Sequence, residues 1–433
     1  MDQQNQNLYA TAPKPERFIL AAVEENQAPL AAEASLDELS DLLRTAGGEE
    51  AGRVIQKRQS PDPGTYLGSG KLEELRSVLE MTGADGVITD DELSPAQLRN
   101  MADFLDCKVI DRTLLILEIF TQRAATREGQ LQVELAEWNY RLTRLVGLGK
   151  SLSRQGGSIG RAHSRGAGET KLELDRRYIR QRIGVLRHQL KELGQERETI
   201  RSRRVKNEVP HVALVGYTNA GKSTIFNGMT HAGVLEEDAL FATLDTTTRR
   251  VSCPSGREIL LSDTVGFIHK LPHQLVEAFR ATLEEVCYAD ILLMVVDASD
   301  PKAQLEMQVT AETLRELGAG DKLMLVLFNK QDLLEQENLL TFPGGGQRQM
   351  RISAKRPEDL QRVLEQIDAI LDEQEMEYTV LIPYTEGRFV NYLRENARVL
   401  EEDYRDNGTW FRVRSDAVCR KRLDAYRVWE ENT

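Results

Sequence analysis

The octapeptide Gly216-Tyr-Thr-Asn-Ala-Gly-Lys222-Ser223 constrains this chain most, because it is a complete phosphate-binding loop lying between a compact apolar run and a helix-forming stretch. Val212 to Val215 reads as a buried strand, and Ser223 to Met229 as the helix that follows. Gly216 and Gly221 permit the turns that aim successive N–H groups at phosphates, and the helix dipole adds to the attraction. Lys222 brings a point charge to the β- and γ-phosphates, and the Ser223 hydroxyl is placed to ligate Mg2+. With glycine at roughly 7% of ordinary sequence, a chance match in a chain this long has odds on the order of one in a hundred.

Three further motifs follow in working order. Asp263-Thr-Val-Gly266, Asn329-Lys-Gln-Asp332 and Ser353-Ala-Lys355 each lie at or just after an apolar run: Ile259 to Leu261 leads into Asp263, and Leu323 to Phe328 leads into Asn329. Ile291 to Val296, ending at Asp297, supplies another strand. In doubly wound α/β sheets ligands sit at the carboxyl ends of strands, so the pattern predicts a P-loop GTPase domain with a mostly parallel sheet. The nucleotide-binding candidates are Gly216, Tyr217, Thr218, Asn219, Ala220, Gly221, Lys222, Ser223 and Thr224, then Asp263, Thr264, Val265 and Gly266, then Asn329, Lys330, Gln331 and Asp332, then Ser353, Ala354 and Lys355. Asp263 is read as an outer-shell ligand of Mg2+, and the Gly266 N–H as a γ-phosphate donor whose loss of contact releases the segment. The Asp332 carboxylate accepts from guanine N1 and N2, a donor pair that adenine lacks.

A threonine that closes over Mg2+ is expected between the loop and Asp263. Phe241-Ala-Thr-Leu-Asp245 followed by Thr246, Thr247 and Thr248 offers four candidates, and spacing does not choose among them. Phe267 stands where Ras-like GTPases place the glutamine that orients water. A phenyl ring cannot do this, so slow intrinsic hydrolysis and a macromolecular activator are expected, with no catalytic water-positioning residue identified.

A length of 433 residues implies two or three domains. We divide the chain into an α/β N-terminal domain (1–142), a Gly/Arg-rich loop and basic helical connector (143–206), the P-loop GTPase domain (207–371) and a small α/β C-terminal domain (372–433). Phe18 to Val23, Gly52 to Lys57, Gly86 to Thr89 and Lys108 to Asp111 read as the N-terminal strands, and Thr113 to Leu142 as one long helical pattern. Gly68-Ser-Gly-Lys71 lacks the first glycine of a phosphate loop and has Leu72 where Ser or Thr is needed, so it reads as a helix-start turn. After the acidic run Asp372 to Glu377, strands at Tyr378 to Ile382 and Thr409 to Arg414 flank a helix near Gly387 to Arg398. No apolar run approaches the roughly 20 residues that span a bilayer, and the glutamine-rich start lacks a signal-peptide pattern. Cys107, Cys253, Cys287 and Cys419 are scattered without metal-site spacing. A cytoplasmic protein without membrane insertion is expected.

Net charge is −13, but the sign is unevenly distributed. Arg141 to Lys206 holds 18 Lys and Arg against 6 Asp and Glu, a balance of +12 that leaves −25 for the remainder of the −13 total. Such a local basic block is the electrostatic footprint of a phosphate-backbone binder. Its first part, Ser151 through Gly168, is rich in glycine, serine and arginine; its second, Thr170 to about Arg204, repeats Leu172, Ile179, Ile183, Leu186, Leu190 and Leu193 near helical spacing. A solvated linker helix is the competing reading. The RNA-binding candidates are Arg154, Arg161, Arg165, Arg176 and Arg177.

Tyr66-Leu-Gly-Ser-Gly-Lys71, Val109-Ile-Asp-Arg-Thr113, Arg154-Gln-Gly-Gly157 and Gly166-Ala-Gly-Glu-Thr-Lys-Leu-Glu173, taken with the phosphate loop, resemble the HflX family of bacterial GTPases through nearly the whole chain. The resemblance implies a GTPase that associates with the 50S ribosomal subunit, contacts ribosomal RNA and dissociates stalled 70S ribosomes, notably under heat stress. It implies that Thr243 is the switch threonine, pairing with Ser223 on Mg2+ beside Phe241, Ala242, Leu244 and Asp245. Weak ATP binding by the N-terminal domain is a further family expectation, and the protein is expected to be a monomer binding GTP and GDP. A GTP-gated RNA-binding scaffold, or a GTPase of ribosome assembly or RNA modification, is the alternative.

Overall fold

The computed structural model describes residues 15–25, 31–155, 165–206, 209–230, 240–241, 246–270, 285–334, 340–342, 347–415 and 417–428; side chains within 146–155, 165–172 and 196–206, and at 417, 418 and 421, are outside the description. Three sheets organise these residues. The first contains β1 (Arg17–Glu24), β2 (Glu49–Lys57), β3 (Gly86–Thr89) and β4 (Lys108–Asp111), ordered β2-β1-β3-β4 and parallel throughout. Alternation along β1 divides its side chains between two cores. Phe18, Leu20 and Ala22 face the helices Ala32–Thr45 (α1) and Arg112–Arg123 (α4), whereas Ile19, Ala21 and Val23 face Ser69–Thr82 (α2) and Pro95–Leu105 (α3). Burial on both faces explains the unbroken apolar run in the sequence.

Helices α3 and α4 begin where side chains satisfy their first N–H groups. Ser94 and Gln97 form a reciprocal capping box with Pro95 in the first turn of α3, and Asp111 accepts from the Leu114 N–H at 3.0 Å to start α4. The segment from Thr113 to Leu142, expected as one helix, is two. Ala124 is extended after α4, and the Thr126 hydroxyl accepts from the Gly129 N–H at 3.0 Å to cap α5 (Arg127–Gln155). Periodicity does not reveal such a short interruption, because both helices carry apolar stripes.

Helix α6 (Arg165–Lys206) returns along α5. Ile179, Ile183 and Leu186 are buried against Leu135, with Trp138, Leu142, Leu145 and Leu190 packed around them. The basic connector is therefore a helical hairpin with a dry seam and a charged exterior, while residues 156–164 of the expected Gly/Arg-rich loop lie outside the described residues.

The six-stranded sheet runs β10 (Arg348–Arg351), β9 (Leu323–Asn329), β8 (Ile291–Asp297), β5 (His211–Gly216), β7 (Glu258–Asp263), β6 (Thr247–Ser252), and only β6 is antiparallel. Val212 and Leu214 on β5 join the core beneath α7 (Lys222–Thr230) and α9 (Pro357–Gln374), and Ala213 and Val215 join the core beneath α8 (Ala303–Glu316). This is the doubly wound sheet expected. Helix α9 continues through residue 371 to Gln374, so the passage to the C-terminal sheet falls at Glu375, within the acidic run Asp372 to Glu377. That third sheet is antiparallel, β11 (Met376–Ile382), β13 (Gly408–Ser415) and β12 (Arg398–Arg405), backed by α10 (Gly387–Asn396) and α11 (Ala417–Leu423). Its edge strand β12 has a mostly exposed, charged sequence and for that reason did not read as a strand.

Leu186 is fully buried in the α5–α6 seam, so Leu186→Ala is expected to destabilise the hairpin by about 2–5 kcal/mol. Denaturant unfolding followed by the fluorescence of Trp138, on the same seam, provides the measurement. An unchanged midpoint would mean that the helices do not depend on each other.

Candidate functional site

The phosphate loop leaves the carboxyl end of β5 with two glycines in conformations that other residues rarely adopt. Gly216 has φ +145° and Gly221 φ +97°, and a Cβ would lie 2.2 Å from the Val295 carbonyl oxygen in the first case and 2.2 Å from Asn329 Nδ2 in the second. Asn219, at φ 59°, occupies the left-handed region between them. Lys222 opens α7, where its buried Nζ donates to the carbonyls of Gly216 at 3.1 Å and Tyr217 at 2.6 Å. Burial brings its pKa down to about 8, against the opposing pull of Asp263. Thr224 follows on the first turn.

Ser223 Oγ donates to Asp263 Oδ2 at 2.9 Å, and the Thr264 hydroxyl donates to the Leu214 carbonyl at 2.6 Å, pinning the segment after β7 to β5. At Gly266 a Cβ would meet Thr218 Cγ2 at 2.8 Å and Lys222 Nζ at 3.0 Å, so only glycine lets this backbone approach the loop so closely. The Thr218 hydroxyl is buried without a protein partner. A hydroxyl, a carboxylate, a buried lysine and a glycine-lined cradle fit a magnesium-bound phosphate chain.

Phe267 closes the unit. Its N–H donates to the Gly216 carbonyl at 3.1 Å and its carbonyl accepts from the Thr218 N–H at 2.8 Å. The ring is buried in the core beneath α8 with Ala213 and Val215. It therefore points into the domain interior and cannot orient water.

The Asn329 and Ser353 segments meet across β9 and β10. Asn329 Nδ2 donates to the Ala220 carbonyl at 2.9 Å, and its Oδ1 accepts from the Ala354 N–H at 2.9 Å. One side chain thus joins the phosphate loop to the last motif. Asp332 Oδ1 accepts from Ser353 Oγ at 2.7 Å, and Lys355 Nζ stands 3.5 Å from Oδ2. The Ser353 hydrogen bond holds the Asp332 carboxyl below its ordinary pKa. Lys330 pairs with Asp297 at 2.7 Å, and the Gln331 N–H donates to the Ile352 carbonyl.

A second set of contacts was not apparent in the sequence. The Tyr217 hydroxyl accepts from the His269 N–H at 2.6 Å and donates to Glu38 of α1. Glu38 pairs with Arg112, whose side chain is 2% exposed and also donates to Asp90 Oδ1 at 2.9 Å and to the His269 carbonyl at 3.0 Å. Lys270 forms ion pairs with Asp90 and Asp91. The ring of Phe241, a nucleotide-binding candidate, packs edge-on against Phe120 of α4, with centroids 4.7 Å apart. Val265, Ile268 and Tyr217 share that hydrophobic cluster with the N-terminal domain. Burial, reinforced by Arg112 and Lys270, lowers the His269 pKa to about 4. The available signals were Arg112 within the Val109 to Thr113 motif and the acidic pair Asp90-Asp91 after β3, but pairing across about 180 positions leaves no local pattern.

Thr243, Ala242, Leu244 and Asp245 lie outside the described residues, as do Arg161 and the side chains of Arg154 and Arg165. Arg176 donates to Glu173 and to the Leu145 carbonyl, both at 3.4 Å, whereas Arg177 is exposed. Lys71 sits at the start of α2 beside Glu74, and Gly68 donates its N–H to Gln56 Oε1, giving the helix-start turn expected. Among the described residues no group of three or more His, Cys, Asp and Glu could hold a metal, and no helix is long and apolar enough to cross a membrane.

A doubly wound sheet carrying these motifs at its carboxyl edge defines a P-loop GTPase. Family models match it in succession: residues 33–121 match a GTP-binding GTPase N-terminal region, 123–204 a GTP-binding GTPase middle region, and 211–330 a 50S ribosome-binding GTPase. The GTPase HflX of Lacrimispora saccharolytica is 51% identical over 91% of this chain and 92% of its own. That of Caldanaerobacter subterraneus is 48% identical over 93% and 91%. The crystal structure of a GTP-binding protein from Sulfolobus solfataricus in complex with GDP aligns with 81% of this chain and 99% of its own, at 24% identity and a TM-score of 0.41. The chain belongs to the HflX family of GTPases.

Glu306, on the first turn of α8, adds a pH dependence. Burial first, then Asp300 and Asp297, push its carboxyl up to about 8, with Lys302 and Lys330 opposing. Because the folded pKa exceeds the ordinary 4.5, the stabilisation is complete below about pH 4.5 and is lost as pH rises through about 8. Glu306→Gln mimics the protonated form, so it is expected to leave Tm unchanged near about pH 4 and to raise it by several degrees near about pH 8.5. Parallel Tm curves for the two proteins would contradict the shift.

Proposed function

We propose that this GTPase works on the ribosome, engaging the 50S subunit and ribosomal RNA through its basic connector and splitting stalled 70S particles. In this reading Lys222 and the loop N–H groups from Gly216 to Thr224 hold the β- and γ-phosphates. Ser223, Thr243 and Asp263 would hold Mg2+, which would supply positive charge against the phosphoryl group being transferred. Gly266 offers its N–H to the γ-phosphate. Asp332 accepts from guanine N1 and N2, Asn329 and Lys330 brace the base site, and the Ser353 to Lys355 turn donates to the guanine oxygen. Water adds to the γ-phosphorus, the bridging oxygen departs with GDP, and the proton leaves with inorganic phosphate.

The observation that carries this reading is the anchorage of Phe267, with its ring buried and its backbone hydrogen-bonded to the loop. With Phe267 offering no group to orient water, hydrolysis is expected to depend on a partner, and activators elsewhere raise turnover by about 10³ to 10⁵. The match of residues 211–330 to a 50S ribosome-binding GTPase and the +12 balance of the connector favour the large subunit as that partner.

Phosphate release is expected to be slow in isolation and to rise by at least about 10³-fold with purified 50S subunits. A non-hydrolysable GTP analogue is expected to support 70S dissociation, measured by light scattering. If 50S leaves hydrolysis unchanged and 70S stays intact, the ribosomal function is wrong. Separately, Asp332→Asn exchanges an acceptor for a donor, so GTP affinity is expected to fall roughly 10- to 150-fold, from about 1.5–3 kcal/mol per charged hydrogen bond, while xanthosine triphosphate gains. Unchanged base preference would remove Asp332 from the base site.

A further inference from the structure

The connector hairpin has a pocket of ≈ 420 Å³ between α5 and α6, close to the N-terminal domain. Trp138, Arg141 and Leu145 line it from α5, and Asp175 and Tyr178 from α6. Their spacing of three to seven residues places each set on one helix face. The Trp138 and Tyr178 rings stand 5.9 Å apart at 76°, so they form two nearly perpendicular aromatic walls. The indole is fixed in place: its Nε1 donates to Glu134 at 3.1 Å, and Arg182 holds the same carboxylate at 2.6 Å. Tyr178 is 61% exposed, so one face of its ring is open to solvent. The Arg141 guanidinium lies 5.0 Å from the Trp138 ring centroid. Arg144, by contrast, is committed to Asp111 and forms part of the floor.

A preorganised aromatic corner, an open cationic rim and a local balance of +12 match the chemistry by which proteins hold unpaired nucleotides, in which bases stack on aromatic faces and arginines meet the backbone. Arg177 and Arg180 are exposed on the same stretch of α6 and add to the positive charge around the hairpin. We infer that the pocket between α5 and α6 receives one unstacked base of an RNA strand, with the exposed Tyr178 ring as its stacking face and Trp138, nearly perpendicular to it, as the wall at the base's edge. This rests on the reading that the connector meets RNA, and it specifies where and by what contact.

The test uses the full chain and a short single-stranded oligoadenylate carrying one 2-aminopurine, together with the same strand made abasic at that position. Wild-type binding is expected to change the 2-aminopurine fluorescence. Tyr178→Ala is expected to bind roughly 5- to 150-fold more weakly, the range for one base–aromatic stack, and Tyr178→Phe to bind like the wild type. The abasic strand is expected to bind wild type and Tyr178→Ala equally, since the contact is then already absent. GTP affinity serves as the folding control and is expected to be unchanged in both variants. No fluorescence change with wild type, or equal binding of the base-bearing strand by wild type and Tyr178→Ala, overturns the pocket. In the latter case, if the double variant Arg177→Ala, Arg180→Ala still weakens RNA binding, the connector keeps its RNA role and only the base pocket fails. No RNA binding by wild type removes both.

Discussion

The backbone pairing of Phe267 with the phosphate loop is the contact on which the rest of the nucleotide domain depends. Two hydrogen bonds, Phe267 to Gly216 and Thr218 to Phe267, tie the loop that holds phosphate to the segment that must respond to it. Gly266 makes that approach possible, because any larger residue would strike Thr218. Each such bond contributes only about 0.5–1.5 kcal/mol net. A tie of this size is strong enough to position the segment and weak enough for a few phosphate contacts to reset it.

The N-terminal domain holds the other end of the same segment. His269 and Lys270 follow Phe267 after Ile268; Arg112 engages the first, Asp90 and Asp91 engage the second, and Tyr217 of the loop reaches Glu38. The clamp is buried around Arg112, so breaking it on one side alone would strand a charge and cost about 3–5 kcal/mol. It therefore favours concerted release over partial loosening. With the His269 imidazole held neutral by burial and two nearby cations, its backbone and not its ring takes part. Near neutral pH, protonation of His269 therefore does not bias the clamp.

Legibility in the sequence followed the range of each interaction. The strand-to-motif passages around Gly216, Asp263 and Asn329 were visible because a buried strand, a turn and a capped helix are all written in adjacent residues. Asn329 as a brace was also foreseeable, since its amide has one task on each side. The break at Ala124 was hidden by the continuity of apolar spacing, and β12 by the charges on its exposed edge. The clamp was invisible for another reason. Glu38, Asp90, Arg112 and Lys270 look like ordinary surface charges until two domains bring them together. Phe241 was read for its place beside the switch threonine, whereas its ring is spent on Phe120.

These contacts also limit how the parts can move. The 42-residue helix α6, about 60 Å long at 1.5 Å per residue, leads from the hairpin to β5, only a few residues before the phosphate loop. The clamp joins the same N-terminal domain to the far side of that loop. The two domains are thus linked twice, once along the chain through the hairpin and once across space through Arg112 and Lys270. A displacement of the hairpin relative to the N-terminal domain is resisted by the apolar packing of α5 on α6 and by the clamp beside Phe267. The clamp is backed by the apolar contacts of Tyr217, Phe241, Val265 and Ile268 with the N-terminal domain, so the segment that carries Gly266 is held to that domain by charge and packing together.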